Sequence, residues 1–233
     1  TGAGGGMGAR IARAFHDRGA SVVVTDVDEA AASRVALDLG DRAAAHRLDV
    51  TVRSDVEKTF AVVDEQYGRI DHVVTCAAII TANRTPQITD EEWHRVFDIN
   101  LYGTFVVCQA ALARMVAQGS GHIVGVASDA GKRGGGGLRA DAASAAAKAG
   151  VCALGQSLAR ASAGRGGLPI QVDATGISSS KRKLSEYKRG GLRTSRKIYN
   201  CCGTYPQVEL AWGWYATTSL VIGRRINVAA ICQ

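Results

Sequence analysis

From Thr1 to about Thr175 short β-branched runs alternate with longer stretches of helical periodicity, and this alternation restricts the chain more than any other feature. Such a pattern builds βα units and a parallel sheet. Val22 to Thr25, Ala45 to Leu48, Ile70 to Thr75, His122 to Ala127 and Ile170 to Val172 read as strands. Met7 to Arg18 places Ile11 and Phe15 on one helical face and stops at Gly19, a natural C-cap. Ser54-x-x-Glu57 and Thr89-x-x-Glu92 have the form of capping boxes, in which side chains satisfy amides at a helix start. Two further helices are predicted, Leu101 to about Ala117 and Ser144 to about Ala163. The expected fold is α/β, a doubly wound parallel sheet of Rossmann type forming a single domain with an irregular C-terminal segment. Its body covers residues 1–176. A central strand normally stands just before the first glycine turn of such a sheet, and it is expected upstream of Thr1.

Past Gly176 the composition changes. Residues 177–205 form a basic, irregular segment, and 206–233 read as a remnant of the same domain. The segment from Ile177 to Asn200 holds eight of the 28 basic residues and one of the 21 acidic ones, so the whole formal charge of +7 lies there. It is a solvated loop, a mobile lid or a stretch read out of frame, and with few apolar residues it is expected to order poorly. Clustered Lys and Arg attract phosphates, but Tyr187 and Tyr199 are its only stacking aromatics and no binding module is legible, so a nucleic-acid partner is not expected. The six cysteines lack C-x-x-C spacing, which points to reduced thiols in a cytoplasmic protein and to no metal site. No apolar run approaches the roughly 20 residues of a membrane span, and the chain opens on a glycine turn where a signal sequence would be charged and then apolar. A membrane partner is not expected.

The glycine turn carries the first chemistry. In Thr1-Gly2-Ala3-Gly4-Gly5-Gly6-Met7-Gly8, the glycines Gly2, Gly6 and Gly8 allow a tight turn and close approach of a phosphate to amides at a helix start. About 20 residues later a strand ends at Asp26, whose carboxylate can accept hydrogen bonds from an adenine ribose and repels a 2′-phosphate. NAD is therefore expected over NADP.

Thr-Gly-x-x-x-Gly-x-Gly followed by this acidic strand end resembles the cofactor motif of the short-chain dehydrogenase/reductase family. Other stretches resemble the family in order and spacing. Leu48-Asp49-Val50 is similar to the stretch whose Asp contacts adenine, which implies Asp49 and Val50. Val96-Phe97-Asp98-Ile99-Asn100-Leu101 is similar to the segment whose Asn supports a relay water, which implies Asn100. Gly121 to Gly131 resembles the strand that ends at the catalytic serine, here Ser128. Ala145-Ala146-Ala147-Lys148-Ala149-Gly150 resembles the helix of the catalytic lysine, here Lys148. The resemblance also places Met7 and Ala77 beside the cofactor, with Lys148 on its ribose.

The departures are specific. Ser144 stands where the family has a tyrosine that transfers the proton at the substrate oxygen. An aliphatic hydroxyl is a far weaker acid than a phenol of pKa about 10, so proton transfer near neutral pH is impaired. Thr75-Cys76-Ala77-Ala78 replaces Asn-Asn-Ala-Gly, and Thr175-Gly176 replaces Pro-Gly. The resemblance implies an NAD-dependent oxidoreductase interconverting a secondary alcohol and a ketone, slowed by the loss of the tyrosine. The other reading is a catalytically silent NAD-binding or scaffold protein. A homo-oligomer, dimer or tetramer, is expected, since the family pairs the helices Leu101 to Ala117 and Ser144 to Ala163 across a two-fold axis.

Overall fold

The computed structural model describes residues 1–134, 141–163, 170–177 and 199–200. Helix α1 (Gly6–His16) leads to β1 (Val22–Asp26), α2 (Glu29–Leu39), β2 (Ala43–Arg47), α3 (Arg53–Tyr67) and β3 (His72–Thr75). After a 3-10 turn (Thr85–Gln87) come α4 (Asp90–Phe97), a π-helical turn (Asp98–Tyr102) and α5 (Gly103–Gln118). Then follow β4 (Gly121–Ser128), the short α6 (Ala130–Arg133), α7 (Ala142–Ala163), β5 (Ile170–Ile177) and β6 (Tyr199–Asn200).

The strands form a parallel β1–β2 pair and a β3–β4–β5–β6 sheet, parallel except for β6, which runs antiparallel to β5. Residues 1–3 join the two. The Thr1 amine donates to the Val74 carbonyl at 2.7 Å, the Cys76 amide donates to Thr1 O at 3.1 Å, and the Ala3 amide donates to Thr25 O at 3.0 Å. The first residues thus lie between the ends of β1 and β3. From there the chain winds one way through β1 and β2 and the other way through β3, β4 and β5, which makes the glycine turn the topological switch point. Helix α1 packs across the same divide, with the Phe15 ring 5.2 Å from His72 on β3.

The largest core cluster lies between α3, α5 and the β3–β4 sheet and includes Val56, Phe60, Val106, Val107, Met115 and Ile123. Burying each side chain of this kind stabilises the fold by about 1.5–3 kcal/mol. A second cluster, around Ala12, Val24, Ala32 and Leu39, fixes α1 and α2 on β1. Val96, Ala143 and Ala147 bring α4 against α7.

Several sequence expectations shift. The Thr89 capping box forms, with the Glu92 amide donating to Thr89 Oγ1 at 3.2 Å and the Thr89 amide donating to Glu92 Oε2 at 3.1 Å. The Ser54 box does not: α3 starts two residues earlier, with Val52 at its N-cap and no side-chain cap, so Ser54 already lies inside the helix. Strand β2 ends at Arg47, one residue before Leu48, and β3 begins at His72, not Ile70. Strand β5 runs on past Val172 to Ile177 because it stays in register with β4 up to Ser128. Within the segment expected to be irregular, Tyr199 and Asn200 pair with Gly176 and Thr175. The expected disorder of that basic segment otherwise lies outside the described residues, as does the 206–233 remnant. The π turn keeps α4 and α5 continuous, so Asp90–Gln118 is one helix long and apolar enough to cross a membrane, contrary to the reading of its sequence. Half of its apolar window is buried in the fold, where Val106, Val107, Ala111 and Met115 serve the core.

Candidate active site

Three glycines of the first turn are required by space. Gly2 sits at φ +64°, and a Cβ there would lie 2.6 Å from the backbone of Ala77. A Cβ on Gly8 would collide with the Gly2 carbonyl, and one on Gly4 would come within 3.0 Å of the Asp26 carboxylate. Gly5 and Gly6 differ: nothing stands within 4 Å of where their Cβ atoms would be. At φ +54°, Gly6 turns the chain into α1, leaving open space before amides at a helix start, where a phosphate fits. Met7 is half-buried on the first turn of α1.

Asp26 closes β1 beside this turn. Its Oδ2 accepts from the Gly4 amide at 2.9 Å and its Oδ1 from the Asp28 amide at 3.1 Å, so the carboxylate is oriented by backbone and is only half-buried. Asp49 makes a local turn, accepting from the Thr51 amide at 3.0 Å and the Thr51 hydroxyl at 2.7 Å. Val50 is a core residue, and a Cβ on Gly103 would lie 2.5 Å from its Cγ2.

On the other side of the switch point, Lys148 on α7 is buried, and its Nζ donates to the Val126 carbonyl at 2.5 Å. Val126 lies two residues before Ser128, at the carboxyl end of β4. Burial pushes the Lys148 ammonium below its ordinary pKa, opposed by the nearby thiols of Cys76 and Cys152. Ser128 Oγ accepts from the Ala130 amide at 3.2 Å, just ahead of α6. That short helix lies directly on α7, where a Cβ on Gly131 would come 2.7 Å from the Lys148 carbonyl carbon. Ser144 is one helical turn before Lys148, half-buried, its amide donating to Asp141 Oδ1 at 2.9 Å. Asn100 is fully buried in the π turn; its Oδ1 accepts from the Ile79 amide and its Nδ2 donates to the Ile79 carbonyl, both at 2.8 Å. Its main-chain carbonyl accepts from the Thr104 hydroxyl at 2.8 Å.

The structure therefore brings Ser128, Lys148, Cys76 and the Gly2–Ala77 contact to one edge of the sheet. Asn100 is linked to this edge through Ile79. One residue escaped the sequence reading. Asp141 caps α7 through Oδ1, and its Oδ2 accepts from the buried Thr81 at 2.9 Å, tying α7 to the segment after β3. The signal was present, since Asp141-Ala142-Ala143-Ser144 has an N-cap residue three positions before the expected site. Thr75, in place of an asparagine, has a buried hydroxyl without a hydrogen-bond partner among the described residues.

A parallel sheet with a glycine turn at its switch point, an acidic strand end beside that turn and a Ser–Lys pair across from it defines a dinucleotide-binding oxidoreductase fold. The pattern of the short chain dehydrogenase family matches residues 1–185, and the chain belongs to that family of oxidoreductases. It is 41% identical to galactitol 2-dehydrogenase of Agrobacterium fabrum over 135 residues, which are 58% of this chain and 53% of that protein. It is 33% identical to the 3-oxoacyl-[acyl-carrier-protein] reductase FabG of Escherichia coli over 194 residues, 82% of this chain and 78% of FabG. D-threitol dehydrogenase of Mycolicibacterium smegmatis is 35% identical over 169 residues, 71% of this chain and 64% of that enzyme. The chain thus spans about half of the first relative and about four fifths of the second. The crystal structure of gox2181 superposes with a TM-score of 0.71 at 31% identity, covering 80% of this chain and 74% of that one.

Proposed function

We propose that this chain is an NAD-dependent oxidoreductase that interconverts a secondary alcohol and a ketone, with a proton step weakened by Ser144. The observation that carries this reading is the position of Lys148, buried with its Nζ on the strand that ends at Ser128. A buried lysine is costly to keep for packing alone. The open space at Gly5 and Gly6 and the backbone-held Asp26 carboxylate fit the pyrophosphate and adenine ribose of a dinucleotide. Asp49 and the backbone of Val50 take the adenine, Met7 and Ala77 flank the cofactor, and the oriented negative charge of Asp26 selects NAD over NADP. When bound, NAD supplies the hydride acceptor at its nicotinamide ring.

The remaining work belongs to side chains. The Ser128 hydroxyl donates to the substrate oxygen and fixes its position. Lys148 holds ribose hydroxyls and keeps positive charge beside the proton-transfer site. Asn100, seated in the π turn with its side-chain amide fixed on Ile79, positions a relay water. Ser144 is a poor acid, and water carries the proton in its place. The substrate is a small alcohol or ketone, a class that includes the polyols named for two relatives. The protein works in the cytoplasm, in keeping with cysteines that lack C-x-x-C spacing.

The test is NADH formation or consumption with a panel of polyols and ketones, comparing the chain with Ser144→Tyr. General acid–base catalysis contributes about 10² to 10⁴ in rate. Ser144→Tyr is therefore expected to raise turnover by at least about 10²-fold at unchanged NAD affinity. NAD binding without turnover in either protein would select the silent scaffold, which the absence of a phenol at position 144 favours.

We also infer a homo-oligomer. Ala146, Ala149 and Ala153 lie exposed along one face of α7, small enough for a second copy to approach closely. Light scattering at micromolar concentration is expected to give a dimer or tetramer mass; a monomer mass would refute this.

A further inference from the structure

Strands β1 and β2 run parallel, with Asp26 opposite Arg47. Residues paired in this way send their side chains from the same face of the sheet, with neighbouring strands about 4.8 Å apart. A guanidinium at position 47 is thus placed to reach the Asp26 carboxylate and whatever binds beside it. In the fold it turns elsewhere: Arg47 Nη1 donates to Asp55 Oδ2 on the first turn of α3 at 3.0 Å. Packing does not force that direction. The Arg47 side chain is 50% exposed, and Arg47 and Asp55 both line an open hollow of about 200 Å³ together with His46 and Lys58.

We infer that Asp55 determines cofactor choice by holding Arg47 away from Asp26. The inference rests on the reading that the adenine ribose binds at Asp26. With Arg47 diverted, the Asp26 charge stays uncompensated and repels a 2′-phosphate. A released guanidinium would neutralise Asp26 and donate to that phosphate, for which its planar fork is well suited. An exposed ion pair of this kind adds little stability, so the chain folds without it. Asp55 also leaves the cap of α3 unchanged, because Val52 occupies that position.

Calorimetric titration of the full chain with 5′-AMP and with adenosine 2′,5′-bisphosphate, at low ionic strength, tests the inference on the adenosine end alone. The wild type is expected to bind 5′-AMP more tightly. In Asp55→Asn and Asp55→Ala the ratio of the two dissociation constants should move about tenfold toward the bisphosphate, the effect of one charge-assisted hydrogen bond. Adding Arg47→Gln should return the ratio to the wild-type value, and Arg47→Gln alone should leave it unchanged. A role in folding alone would not produce this dependence on Arg47. An unchanged ratio in the Asp55 variants, or a shift that survives Arg47→Gln, would overturn the inference; if 5′-AMP binding still falls in Asp26→Ala, the ribose site itself stands. No binding of 5′-AMP to any of the proteins would overturn both.

Discussion

Lys148, proposed to hold the cofactor ribose, carries a buried charge that works against stability. Its ammonium is buried on one carbonyl, and burial lowers its pKa below the ordinary 10.5. Between that lowered value and 10.5 the unfolded chain binds more protons than the folded one, so stability rises with pH across this window and the cost is fully present below it. Lys148→Met keeps the volume and removes the charge. Its melting temperature at pH 7 is expected to equal or exceed that of the wild type, and the gain in stability on raising the pH toward 10.5 should shrink. NAD affinity should fall about tenfold, as one charged hydrogen bond is lost. A clear drop in melting temperature with NAD affinity intact would mean that Lys148 is a structural residue. Cys108 is the contrasting case: burial alone pushes its thiol up to about 12, and it sits inertly in the main core.

At the scale of elements, α7 carries both Ser144 and Lys148, and its start is set by a single side chain. Asp141→Ala removes the cap and frees Thr81 at once. Loss of an N-cap costs about 0.5–2 kcal/mol, and denaturant unfolding is expected to show a loss in this range. Hydrogen exchange should accelerate both at the Ser144 amide and at the Thr81 amide. Faster exchange at only one of them would show that Asp141 does not couple the two segments. Such a link spans 60 residues of sequence, which is why periodicity and spacing could not disclose it. What periodicity did disclose were elements with a strong local signal: β1, α1, the Thr89 cap and the long helices. Ser54 misled because the box pattern recurs inside helices, and only the backbone decides that Val52 is the cap. The π turn had no local signal, and its Asn100 is seated on Ile79, 21 residues away in the chain. The Ser128 and Lys148 positions were legible only through resemblance, because a lone Ser or Lys carries no chemistry by itself. The Arg47–Asp55 pair became visible only once the strand register placed Arg47 beside Asp26.

For the whole molecule, the decisive arrangement is the switch point. Residues 1–3 hydrogen-bond to both β1 and β3, so the glycine turn, Asp26 and the Ala77 backbone meet where the two halves of the winding part. Ser128 and Lys148 stand at the same carboxyl edge. A dinucleotide laid across that edge would touch both halves, its adenosine end at Asp26 and its other end near Lys148. The most direct measurement is therefore the equilibrium affinity for NAD of the full chain and of Asp26→Ala, by calorimetry. The wild type is expected to bind NAD, and Asp26→Ala to weaken binding by about tenfold or more, the loss of a hydrogen-bonded carboxylate. Equal affinity in the two proteins, or no binding to the wild type, would contradict this.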